Sequence, residues 1–61
     1  MKRFEINSDG HVYDPDEGFI GKLDSNNVIH NYESRRIGEV DSDGQVYLDN
    51  VGYAGKVSKE S

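Results

Sequence analysis

Slid along itself by 17 residues, this chain matches itself without a gap. A match at one fixed offset means that a single structural unit is used repeatedly. Ile6, Leu23, Val40 and Val57 fall in one column, Val12, Ile29 and Val46 in a second, and Tyr13, His30 and Tyr47 in a third. Gly21, Gly38 and Gly55 share a fourth column, in which the first copy carries Phe4. Between the first two columns stands a polar cluster: Asn7-Ser8-Asp9-Gly10, Asp24-Ser25-Asn26-Asn27 and Asp41-Ser42-Asp43-Gly44.

Each unit reads as a β-hairpin. Its flanks are rich in Val, Ile, Tyr and Phe, and no stretch carries a helical apolar period. Asx at the first turn position with Gly or Asn at the fourth suits a type I turn closed by a left-handed residue, a G1 bulge. That turn sets Val40 against Val46, Leu23 against Ile29 and Ile6 against Val12, so that apolar meets apolar in every hairpin. A plain two-residue turn would instead pair Val40 with Gln45, and a slip of one residue flips side chains to the wrong face. The spacing predicts first strands near 2–7, 19–24, 36–41 and 53–58, and second strands near 11–14, 28–31 and 45–48.

The fold class that follows is all-β: 17-residue hairpin repeats forming a meander curled around a pseudo-fourfold axis, with about seven strands. Residues 1–61 make one domain, in units 3–19, 20–36, 37–53 and a partial 54–61. The column Ile6, Leu23, Val40, Val57 is expected to line the axis, with Val12, Ile29 and Val46 beside it. Glycine inside a strand weakens it, so Gly21, Gly38 and Gly55 are expected where backbones approach closely. Glu5, Lys22, Glu39 and Lys56 alternate in sign, which predicts a cross-strand charge ladder.

Repeated hairpins of the form Ile-Gly-x-Val-Asp-Ser-Asp-Gly-x-Val-Tyr in a chain this short resemble the four-fold β-flower domain. The resemblance runs from Phe4 to Val57 and implies a small symmetric all-β fold, with no settled activity or binding residues. Arg35-Arg36, standing where the other copies have Gly-aromatic, departs from the pattern.

Leu, Ile, Val and Phe number 14 of 61 residues, a thin core with no cysteine to staple it. Very regular turns, or apolar surface shared between subunits, must make up the difference, and a homo-oligomer is expected. The net charge of −5 with scattered basic residues excludes nucleic acid as a partner. No signal peptide or membrane span is legible, which predicts a soluble, cytoplasmic chain with no membrane partner.

Chemistry is harder to find. Asp-Ser-Asp-Gly suggests calcium, but counted from Asp41 the glycine comes two positions too early for an EF-hand loop. His11 and His30 are isolated, so no zinc site is expected. Ser8, Ser25 and Ser42 recur at turn tips without a base, and the carboxylates Asp14, Asp16, Glu17, Asp41 and Asp43 are expected in water-exposed turns. No catalytic residue, metal site or cofactor is therefore predicted, and the chain reads as non-enzymatic.

The aromatic residues are the better candidates for function. Tyr13, His30 and Tyr47 are expected on the outer face, with Phe19 and Tyr53 near the loops between units. Ile20 and Ile37 alternate away from the axis column, which predicts an uncovered apolar face. Together Tyr13, Phe19, Ile20, His30, Ile37, Tyr47 and Tyr53 form the expected interaction surface. It would serve a homodimer or a protein partner, because aromatic residues are enriched at interfaces. The alternative is a carbohydrate or cell-wall glycan stacked on the repeated aromatics.

Overall fold

β-branched and aromatic residues set between Asx-rich turns produce seven strands among the described residues. They are β1 (Lys2–Ile6), β2 (His11–Asp14), β3 (Gly18–Leu23), β4 (Val28–His30), β5 (Arg36–Val40), β6 (Gln45–Leu48) and β7 (Gly52–Lys59). The computed structural model describes residues 2–59, and for Lys59 the backbone alone. Each strand pairs antiparallel with the next, and β7 returns to β1 to close a barrel. That closure is parallel, Lys2↔Gly55 through Ile6↔Lys59. Parity demands it: in an antiparallel meander of seven strands, the first and last run in the same direction. Closure leaves no free strand edge among the described residues, so neither β1 nor β7 is a template for edge pairing.

The turns are built alike. The Asn7 side-chain oxygen accepts the Asp9 and His11 backbone N–H groups at 2.9 and 3.0 Å. Asp24 does the same for Asn26 and Val28, at 2.8 and 3.0 Å. Asp41 holds Asp43 and Gln45, both at 2.9 Å. The fourth residue then takes positive φ, at +85° for Gly10, +65° for Asn27 and +83° for Gly44. These turns impose the expected register, Ile6↔Val12, Leu23↔Ile29 and Val40↔Val46.

A fourth turn of this design, at Asn31–Arg35, is not legible as one in the repeat alignment. Asn31 accepts the Glu33 and Arg35 N–H groups at 2.9 and 3.0 Å, and Ser34 takes φ +65°. The equivalent loops of the flanking units place Gly18 and Gly52 in that region instead, one position later. Arg35-Arg36 is thereby accommodated: the left-handed residue moves back to Ser34, and Arg36 begins β5.

The core differs from the expected one. Phe4, Val12, Ile29 and Val46 are 0% exposed. The column Ile6, Leu23, Val40, Val57 is only partly buried and packs against those four. Val12, Ile29 and Val46 come from three second strands, and the ring of Phe4 takes the fourth place. Elsewhere in its column there is no room for a side chain. A Cβ on Gly21, Gly38 or Gly55 would run into the backbone carbonyl of His30, Tyr47 or Lys2 respectively. At Phe4 that constraint lapses, because the β1–β2 register covers Glu5↔Tyr13 and Ile6↔Val12, and Phe4 pairs with Val57 of β7 instead.

Ile20 and Ile37 do not form an uncovered outer face; both pack against the core, as does Ala54. The cause is a bulge repeated in every unit. Val12 pairs with Gly21 but Tyr13 with Phe19, leaving Ile20 extra; Ile37 and Ala54 are extra in the same way. A bulge re-aims the side chain it inserts and breaks the strand's alternation. The charge ladder also fails to form. A second strand lies between successive first strands, and Glu39 pairs within its own strand to Arg36, at 2.9 Å.

Candidate functional site

The barrel wall carries two cross-strand aromatic pairs. Tyr13 lies directly opposite Phe19 on the β2–β3 hairpin, ring centroids 5.8 Å apart and tilted by 59°. His11 meets the same Phe19 ring edge-on at 5.4 Å. On β6–β7, Tyr47 lies opposite Tyr53 at 5.6 Å, also tilted by 59°, and the Tyr47 hydroxyl donates to Gln45 Oε1. Tilted pairs of this kind add stability beyond area burial, roughly 0.5–1.5 kcal/mol. Yet Phe19, Tyr47 and Tyr53 remain 47%, 37% and 43% exposed.

Between these pairs the second unit is charged. His30 lies opposite Arg36. Arg36 holds Asp49 at 3.1 Å and Glu39 at 2.9 Å, and both carboxylates raise its pKa above the usual guanidinium value. His30 Nε2 lies 3.1 Å from Asp24. The Val28 N–H does most to hold the Asp24 carboxyl below its ordinary value, against a smaller opposing effect of burial, with Asn26 and His30 contributing.

The seven expected surface residues therefore do not make one patch. Tyr13 joins Phe19 and Tyr47 joins Tyr53, while His30 sits apart in the charged unit and Ile20 and Ile37 turn toward the core. Their pairing follows from the bulged register, which needs the loop geometry as well as the column alignment.

The acidic turns hold a surprise at Asp14, which is 5% exposed rather than open to water. Burial alone would push its carboxyl pKa up. The Asp16 N–H at 2.7 Å, the Lys2 ammonium at 3.1 Å and the Glu17 N–H at 3.3 Å outweigh burial, and the pKa falls below the ordinary value. Lys2 also reaches Asp16 at 3.3 Å. The ionised carboxylate thus ties β1, through Lys2, to the turn that follows β2. Ser8, Ser25 and Ser42 are exposed at turn tips. Among the described residues, no three His, Asp or Glu side chains converge as a metal site.

Each end of the barrel is hollow. At the Asx-turn end, Ile6, Leu23, Val40 and Val57 wall a cavity of about 330 Å³ whose rim is Asn27, Asp41, Ser42 and Gly44. At the other end, Ile20, Ile37 and Leu48 floor a hollow of about 350 Å³, bordered by Asp14, Glu17, Asp49 and Asn50. The walls of the first were visible as a column; its rim residues Asn27, Asp41 and Ser42 stand out once the turns are folded over it. Fold and surface together define an all-β, closed seven-stranded meander barrel with an aromatic-bearing wall. No family model matches this sequence, and no curated protein or solved structure matches it either.

Proposed function

We propose that this chain is a non-enzymatic interaction module that meets a protein partner, first of all a second copy of itself, through its aromatic wall. The observation that carries this reading is the exposure of Phe19, Tyr47 and Tyr53 on a barrel that offers no strand edge among the described residues. Without an edge, a partner cannot add a strand and must be met by side chains. Tyrosine and phenylalanine provide large contact area at low conformational cost, and aromatic residues concentrate at interface centres. We also read the repeat as belonging with four-fold β-flower domains, a reading supported by the shared columns and by the meander they build.

Sedimentation velocity from micromolar to millimolar concentration tests the assembly. The native chain should form a dimer that the Tyr47→Ala/Tyr53→Ala variant does not. A native chain that stays monomeric throughout sinks the self-association reading. Glycan binding is the second reading, favoured by the Gln45 amide beside the Tyr47–Tyr53 pair, since exposed rings with an adjacent amide suit a sugar face. The chain has 4 Tyr and no Trp, so its emission is tyrosine emission, and the difference from the Tyr47→Ala/Tyr53→Ala variant isolates that pair. Emission that saturates with cell-wall oligosaccharides would favour the glycan over the dimer.

A further inference from the structure

The cavity at the Asx-turn end has a composition that the aromatic wall does not explain. Four aliphatic side chains, Ile6, Leu23, Val40 and Val57, stand around it. The backbone at its mouth is already satisfied: Leu23 N–H donates to Gly10 O at 2.8 Å, Val40 to Asn27 at 2.9 Å and Val57 to Gly44 at 2.7 Å. Each turn is thus stitched to the next unit, and the cavity is held open by the fold itself. At about 330 Å³ it lies at the lower end of the range for small-molecule sites.

Charge selects among ligands. The turns 7–10, 24–27 and 41–44 carry Asp9, Asp24, Asp41 and Asp43 and contain no Lys or Arg. Asp24 is occupied by His30, at 3.1 Å. Asp41 lines the cavity, half-buried, and spends Oδ1 on the Asp43 and Gln45 N–H groups. Among the described residues no hydrogen bond or ion pair engages its Oδ2. An apolar wall whose one charged lining residue is a carboxylate suits a ligand with an aliphatic tail and a cationic head and disfavours an anion.

We infer that this cavity binds a small aliphatic ammonium ion, its tail among Ile6, Leu23, Val40 and Val57 and its ammonium on the Asp41 carboxylate. The site is independent of the aromatic wall. Asp41→Asn is a clean perturbation because Asn7 and Asn31 hold equivalent turns with an amide. Loss of one charge-assisted contact should weaken binding roughly tenfold.

The test titrates hexylammonium, hexanol and hexanoate into the native chain, followed by NMR of the backbone amides and methyl groups. Hexylammonium should shift the Ile6, Leu23, Val40 and Val57 methyls and the Ser42 and Gly44 amides, hexanol more weakly, and hexanoate not at all. Equal shifts with hexanoate, shifts confined to Tyr13 and Tyr47, or unchanged affinity in Asp41→Asn would each overturn the assignment. Should Asp41→Asn lose its dispersed spectrum, salt decides: affinity in the native chain must fall as ionic strength rises, and a salt-independent affinity refutes the site.

Discussion

Replacing Phe4 by glycine would make the first unit look more like its siblings, which carry Gly21, Gly38 and Gly55 in that column. By repeat logic alone the change is conservative. The packing says otherwise. Phe4 is the largest of the fully buried side chains, and it occupies the core position that no second strand fills. Truncating a buried phenylalanine costs about 3–5 kcal/mol, and glycine in a strand adds backbone freedom to that loss. A domain of 61 residues has about 3–9 kcal/mol of total stability, at roughly 0.05–0.15 kcal/mol per residue. Phe4→Gly should therefore remove half or more of the stability and lower the midpoint strongly. Urea denaturation followed by circular dichroism measures this, with Phe4→Leu as a milder variant that stays folded at a reduced midpoint. If Phe4→Gly kept the native midpoint, the ring of Phe4 would not be the fourth element of the core.

Two further perturbations test the turns and the buried carboxylate. Ser34 holds φ +65° although serine has no special tolerance of that region, where side chains cost about 1–2 kcal/mol. Ser34→Gly should add roughly 0.5–1 kcal/mol of stability after the greater freedom of the unfolded glycine is subtracted, and so raise the urea midpoint; a lowered midpoint would contradict the strain. Asp14 is held below the ordinary carboxyl value of 3.8 in the fold. Its contribution is thus complete above that value and disappears as pH falls through the lower folded one. Midpoints measured from neutral to strongly acidic pH should decline in that window, and less steeply in Asp14→Asn; identical slopes would show that Asp14 is not a source of the acid sensitivity.

Much of the fold was legible because the repeat is local. Asn7, Asp24 and Asp41 each close a turn with atoms two and four residues away, so spacing along the chain is enough to predict the hairpins and their register. The apolar columns followed from the same spacing, since register decides which side chains share a face. The parallel return of β7 to β1 was not read from the sequence and is seen only in the closed barrel.

Tertiary structure decided what depends on contacts between distant strands. The bulges opposite Tyr13, His30 and Tyr47 turn Ile20, Ile37 and Ala54 toward the core, against the alternation that a plain strand would keep. Asp14 becomes buried because Lys2, twelve residues away, reaches across the end of the barrel to meet it. Phe4 looked like a broken repeat and proved to be its completion. A column of like residues reports which positions are equivalent along the chain, but a core is filled by volume, and volume is settled only when the ends of the sheet meet.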